Sequence, residues 1–202
     1  MKAEALRIEI REEPLDSLAS YAEIPIAFTV TRTLDASLVE RGAAASIIKD
    51  YDALEHPTSW KNRFDISNWG LLGAYSENVR VAGAVIAFRT PELEMLEGRD
   101  DLAVLWDIRV HPQMRGRGIG SALLDSVENW TRARGGTCLK VETQNVNVDA
   151  CLFYARRGFK LGAVNRDAYP ELPDEIQLLW YKELGRDHGL VEPQPATELP
   201  PQ

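Results

Sequence analysis

The chain is poor in several things, and each shortage excludes a class of protein. It has only two cysteines, Cys138 and Cys151, in 202 residues. That count excludes a disulfide scaffold, and no C-x-x-C pair is present. Basic charge is scarce: 23 Lys and Arg stand against 31 Asp and Glu, for a net charge of −8. General nucleic-acid binding needs clustered Lys and Arg to meet phosphates, so an acidic chain is a poor candidate for it. Histidine occurs three times, at His56, His111 and His188, without ligand spacing, so no metal site is expected. No apolar run approaches the roughly 18 residues of a membrane-crossing helix, and the opening MKAEALRIEIREEP is charged throughout, unlike a signal peptide. The expectation is a cytoplasmic chain with neither nucleic acid nor membrane as partner.

What is present reads as a globular domain followed by a tail. Apolar residues make up 45% and charged residues 27%, an ordinary soluble profile at a length that buries a core without staples. Residues 1–184 are taken as the domain. Residues 185–202 carry four prolines, no apolar periodicity and two of the eight net negative charges, so they are taken as a passive tail.

The domain alternates strand and helix patterns. Ala5–Ile10 places Leu6, Ile8 and Ile10 on one face, a strand signal, whereas residues 35–50 show a weak helical stripe of Leu38, Val39, Ala43, Ile47 and Ile48. Trp69–Tyr75 and Arg80–Phe88 read as a hairpin around Ser76-Glu77-Asn78. Leu102–Val110 is a dense strand. Ile119–Arg134 is a helix ending at Gly135-Gly136. Leu139–Thr143 is a strand, Val148–Arg157 a helix stopped by Gly158, and Phe159–Ala163 and Ile176–Tyr181 two further strands.

The most informative stretch joins the dense strand to the helix after it. Pro112 stops the strand, and Gly116, Gly118 and Gly120 open the helix. Glycines let backbone approach a ligand closely. The first amides of a helix lack internal partners and, with the helix dipole, form an anion site. Arg115 and Arg117 add positive charge to an otherwise acidic chain, which points to a phosphate-bearing ligand. The nucleotide-binding P-loop needs Gly-Lys-Ser/Thr, but the residues are Gly120-Ser121-Ala122. The dinucleotide G-x-G-x-x-G spacing fails as well, since the third glycine falls on Ser121 or Leu123. The spacing that does hold is Arg115-x-x-Gly118-x-Gly120. One strand further on, Asn147, Ala150, Tyr154 and Gly158-Phe159 spell N-x-x-A-x-x-x-Y-x-x-x-G-F. Asn147 stands where a helix begins and serves equally as an N-cap, and Ala150 and Tyr154 share a helix face.

With the R-x-x-G-x-G loop and this helix, the sequence from Trp69 to Tyr181 resembles the GNAT superfamily of acetyl-CoA-dependent N-acetyltransferases. Within it, Asp107-Ile-x-Val, the run from Glu142 through Tyr154, the later Tyr169 and Glu175-Ile-Gln-Leu-Leu-Trp-Tyr look like the streptothricin acetyltransferases. The resemblance implies an α/β (α+β) GNAT fold: a mixed, mostly antiparallel twisted sheet flanked by helices, with a V-shaped splay between its two central strands. It also implies acetyl-CoA as co-substrate. The main chain of Ile108, Arg109 and Val110 would pair with the pantetheine arm. Amides of Arg115, Gly116, Arg117, Gly118, Ile119, Gly120 and Ser121 would hold the pyrophosphate. Asn147 and Ala150 would lie against the cofactor, and Tyr154 would reach the CoA sulfur.

Asp107 and Glu142 lie on the two strands that would flank the acetyl group, and either is a candidate base. Asp107 also shares a strand face with Arg109 at i,i+2, the spacing of a simple ion pair. Cys151 sits on the motif helix as a small packing residue rather than a transfer thiol. Trp60, Trp69 and Trp106 read as core or pocket wall. The acidic run Glu92, Glu94, Glu97, Asp100 and Asp101 reads as a solvated loop that can also attract a polycation. Many GNAT proteins are homodimers, but no interface signal is visible here. Three functions stay open: acetylation of a cationic antibiotic of the streptothricin type, acetylation of a protein lysine, protein N-terminus or metabolite amine, and acetyl-CoA sensing without turnover.

Overall fold

The computed structural model describes residues 7–35 and 37–185. Among the described residues nine strands form: β1 (Glu9–Glu13), β2 (Phe28–Leu34), β3 (Glu40–Lys49), β4 (Gly70–Ser76), β5 (Val79–Phe88), β6 (Leu102–Val110), β7 (Cys138–Gln144), β8 (Lys160–Asn165) and β9 (Gln177–Glu183). Four α-helices join them: the single turns α1 (Leu18–Tyr21) and α2 (Trp60–Arg63), then α3 (Ile119–Ala133) and α4 (Val148–Arg156). Seven strands make one sheet in the order β1-β4-β5-β6-β7-β9-β8, and β2 and β3 make a separate hairpin. Every pairing is antiparallel except β6 with β7. The mixed, mostly antiparallel sheet expected from the resemblance is therefore present.

The β6–β7 junction positions the site. Pairing there runs only from Leu102–Cys138 to Leu105–Val141, although β6 continues to Val110 and β7 to Gln144. Beyond Leu105 the two strands part, which is the expected splay. On the other side of β6 the register to β5 slips between Val85–Asp107 and Ile86–Leu105, leaving Trp106 as the extra residue of a bulge. A bulge re-aims the side chains that follow it. Ala103 and Leu105 face the core under α3, while Val104 and Trp106 face the second core on the opposite side. After the bulge the alternation resets. Ile108 and Val110 pack on the α3 side, and Asp107 and Arg109 turn to the side of Tyr21 and Trp106.

Two apolar clusters hold the sheet. The larger lies under α3 and α4 and includes Leu123, Val127, Leu139, Tyr154 and Phe159. The smaller lies on the other face around Tyr21, Trp60, Trp69, Leu71 and Val104. Trp106 meets Trp60 at 6.3 Å and Trp69 at 5.4 Å between ring centroids, so the tryptophans are core and pocket wall together.

The β4–β5 hairpin, β6, α3, β7 and α4 fall where the sequence patterns place them. Glu77 and Asn78 both take positive φ, the conformation that two-residue hairpin turns require. Elsewhere the readings need correction. The stripe in residues 35–50 is not a helix: Glu40–Lys49 is strand β3. Its i,i+4 apolar spacing is overridden by pairing with the β-branched run Phe28–Leu34, which the sequence reading passed over. The turn is set by Asp35, whose carboxylate accepts the amides of Ser37 at 2.8 Å and Val39 at 3.0 Å. The first strand begins at Glu9, later than expected. Ile8 and Ile10 do pack on the larger core, while Ala5 and Leu6 lie outside the described residues. The acidic run is only partly a solvated loop, because Glu97 pairs with Lys140 at 2.8 Å and Asp101 with Arg99 at 3.0 Å. The proposed tail falls outside the described residues beyond Gly185.

Candidate active site

A cavity of about 790 Å³ opens at the splay and runs through to both faces of the sheet. One of its sides is made largely of backbone. Between Trp106 and Val110 the β6 edge turned toward β7 has left the ladder. The turn that follows leads into α3, whose N-cap is Gly118 at φ 81°, with no side-chain cap. Gly116 also has positive φ, and a Cβ at either glycine would meet no atom within 4 Å. These two glycines are therefore required by conformation, not by space. Arg115 and Arg117 are exposed beside the turn, and Arg115 Nε donates to the carbonyl of Val110 at 3.0 Å.

Facing the turn, Asn147 caps α4 by accepting the amide of Ala150 at 3.2 Å. One turn on, Tyr154 lies buried against Phe153 and Phe159 and also lines the cavity. Burial raises the Tyr154 phenol above its ordinary value, and the nearby Asp107 charge and Cys151 raise it further. Tyr154 is thus held as a neutral hydrogen-bond donor. Cys151 points into the protein, 3.3 Å from Thr143 Oγ1, with its thiol also raised by burial, as suits a packing residue.

The cavity's other side is made of charged and aromatic side chains. Arg109 is almost wholly buried and fully engaged. Its Nε donates to Asp107 Oδ2 at 2.9 Å, and its Nη2 reaches the same oxygen. Its Nη1 and Nη2 also grip the two oxygens of Asp52 at 2.8 and 3.0 Å, and Nη1 donates to the carbonyl of Ile24 at 3.1 Å. The guanidinium lies 4.8 Å above the ring of Tyr21. Tyr21 fits there because Gly83 on β5 has no side chain; a Cβ would come within 2.7 Å of the ring. Burial raises the Asp107 carboxyl above the usual range, opposed by Arg109 and reinforced by the Asp52 charge.

Across the splay Glu142 accepts from Tyr169 Oη, from Gln144 Nε2 at 3.2 Å and from Gln177 Nε2 at 2.7 Å. Beside it Tyr51 Oη donates to Glu175 at 3.0 Å, and Lys49 pairs with Glu175. The hairpin is tied over this end of the cavity. Asn145 donates to the carbonyl of Leu34 at 2.9 Å, and Arg32 pairs with Asp149 on α4.

The structure therefore gathers Asp107, Ile108, Arg109, Val110, Arg115, Gly116, Gly120, Glu142, Asn147, Ala150 and Tyr154 around one cavity. Arg117, Gly118, Ile119 and Ser121 lie on the turn and first helical residues at its edge. Sequence reasoning missed Tyr21, Tyr51 and Asp52. For Tyr51 and Asp52 the only local signal is a short polar, aromatic stretch after the apolar run ending at Ile48. Tyr169 and Glu175 were visible only through the family resemblance. Among the described residues, no helix is long and apolar enough to cross a membrane.

A seven-stranded sheet splayed at its one parallel pair, with a glycine turn and an uncapped helix at the opening, defines the class. Residues 43–159, more than half of the chain, match the model of the acetyltransferase (GNAT) family, and the chain belongs to that family. Among named relatives it is 38% identical over 81 residues to streptothricin acetyltransferase A of Bacillus subtilis (strain 168), covering 39% of this chain and 47% of that protein. It is 32% identical over 93 residues to a streptothricin acetyltransferase of Escherichia coli, covering 45% and 53%. The chain thus spans about half the length of the curated relatives it matches. Nourseothricin acetyltransferase superposes with a TM-score of 0.69 at 20% identity, over 88% of this chain and 99% of that one. A Bacillus anthracis str. Ames structure named for the streptothricin acetyltransferases, in complex with acetyl coenzyme A, superposes with a TM-score of 0.67 at 24% identity over the same shares. These two superpositions establish the fold.

Proposed function

We propose that the protein is an N-acetyltransferase that moves an acetyl group from acetyl-CoA to a primary amine of a cationic small molecule of the streptothricin type, by direct attack in a ternary complex. The carrying observation is the continuous cavity: backbone donors and arginines on one side, carboxylates and phenols on the other. The released β6 edge suits the pantetheine arm, and the turn and first amides of α3 suit the pyrophosphate. An amide of β6 beside the thioester would polarise its carbonyl.

The chemistry sets what each side chain must do. A lysine-like amine has a pKa near 10.4, so presenting it neutral at pH 7 costs about 4.6 kcal/mol. Asp107, with basicity raised by burial, takes the proton directly or through water. Glu142, on the neighbouring strand, is the other carboxylate within the splay. The amine nitrogen bonds to the acyl carbon, the carbon–sulfur bond breaks, and the pair leaves as the CoA thiolate. The CoA thiolate, whose thiol has a pKa near 8.5, is a weaker base than phenolate, and burial widens that gap at Tyr154. Tyr154 therefore steadies the thiolate by a hydrogen bond without surrendering its proton.

Thiol release from acetyl-CoA, measured with streptothricin, lysine peptides and polyamines and checked by mass spectrometry of the product, tests this reading. Turnover of streptothricin far above the others supports it. Tight acetyl-CoA binding with no turnover of any amine overturns it in favour of a sensor. Asp107→Asn is expected to lose the acidic limb of the pH–rate profile, and an unchanged limb removes Asp107 as the base.

A further inference from the structure

Six carboxylates line the cavity, and their partners differ in one respect. Asp52 and Asp107 share Arg109, Glu55 meets Arg63, Asp149 meets Arg32 and Glu175 meets Lys49. Among the described residues, Glu142 has no basic partner. It is held by three neutral donors: the phenol of Tyr169 and the amides of Gln144 and Gln177. Gln144 in turn donates to Tyr169 Oη at 3.0 Å, so the frame around the carboxylate is cross-braced.

A half-buried carboxylate held in place without a counter-charge is costly unless something else supplies one. Neutral donors fix the orientation of the group but leave its charge uncompensated. Glu142 also faces the same side of the sheet as Asp107, one strand away across the splay, with Tyr51 and Tyr169 bordering the space between. Phenol rings beside a carboxylate suit an ammonium or guanidinium group.

We infer that Glu142 is the anchor for a second positive charge on the acceptor, so that the site selects diamines and polyamines over monoamines. One amine lies at Asp107 for acetylation, and a second cation, not acetylated in that turnover, sits on Glu142. This inference rests on the acetyl-transfer reading above and assigns Glu142 to specificity instead of proton transfer.

Steady-state rates with 1,5-diaminopentane and pentylamine test it, comparing the wild type with Glu142→Gln, Glu142→Asp and Tyr169→Phe, each checked for fold by circular dichroism. Glu142→Gln is expected to raise KM for the diamine by about tenfold, while KM for pentylamine moves less than about threefold, the size of one charge-assisted contact. Glu142→Asp should recover part of the preference, and Tyr169→Phe should lose part of it. An unchanged diamine-to-monoamine KM ratio in Glu142→Gln overturns the inference. So does an equal fall in kcat for both amines with loss of the acidic limb, which would make Glu142 the base. If the wild type acetylates neither amine, thiol release with streptothricin decides the acetyl-transfer reading separately. Calorimetric binding of 1,5-diaminopentane in the presence of CoA then decides the subsite: about tenfold weaker binding to Glu142→Gln keeps it, and equal or absent binding removes it.

Discussion

The two sides of the splay are built by different means. The side assigned to acetyl-CoA is a strand edge, a glycine turn and a helix start, drawn from residues 106 to 121 with Asn147 and Tyr154 opposite. The side assigned to the amine is drawn from α1, the turn after β3, β6, β7 and the loop before β9, and is joined by side chains. Arg109 reaches Asp52 across 57 positions of sequence, and Tyr51 reaches Glu175 across 124. Backbone donors suit a ligand shared by a whole family, since they depend on turn geometry more than on side-chain identity. Side-chain networks suit a ligand that differs between relatives, because each contact can be replaced alone.

That contrast can be broken first at Arg109. Arg109→Ala leaves Asp107 buried and Asp52 without their shared cation, and a stability loss of about 3–5 kcal/mol is expected in urea unfolding. A loss below about 1 kcal/mol would mean that the amine side does not depend on the buried network. Next in size is Tyr154→Phe, which should lower kcat by about 100-fold, near the lower bound for a group assisting the leaving atom, with KM for acetyl-CoA little changed. An unchanged kcat removes Tyr154 from the mechanism.

Gly118→Ala sharpens the comparison from the other side. Forcing a Cβ into the left-handed conformation costs about 1–2 kcal/mol, so Kd for CoA should weaken by up to about tenfold while KM for the amine holds. Equal effects on both ligands would show that the two sides are not separable. The smallest effect is expected at Asp101, which lies outside the cavity. Its hydrogen bonds from Arg99 and Thr137 lower its pKa to about 2. A lowered carboxyl pKa gives stability that is present above the unfolded value near 4 and is lost as pH falls toward 2. The difference in Tm between wild type and Asp101→Asn should therefore close over that window, with both KM values unmoved. A gap that persists at pH 2 would show that the Asp101 charge is not its source.

The same division explains what was legible in the chain. β6, α3 and α4 were readable because each carries its own periodicity and its own stop, at Pro112, Gly135 and Gly158, and β7 by its apolar alternation alone. The R-x-x-G-x-G turn was readable because Gly116 and Gly118 take a left-handed backbone that favours glycine. β3 was misread because its i,i+4 apolar residues fit a helix as well as a strand; Ile47 and Ile48 stay largely exposed, so no buried face decides between them. Asp107 and Arg109 could be placed on one face from their spacing, but the bulge at Trp106 that turns that face toward Tyr21 left no mark in the sequence.

By itself the sequence determined an acidic chain with an R-x-x-G-x-G turn, the strand and helix that carry it, and the tyrosine across from it. Those properties follow from local conformation, which a short run of residues controls. Only the tertiary structure decided which cavity carboxylates have a basic partner among the described residues and which does not. A counter-ion is set by proximity in space, and Arg109, Arg32, Lys49 and Arg63 reach five of the six cavity acids through the packing of distant elements, leaving Glu142, among the described residues, to neutral donors.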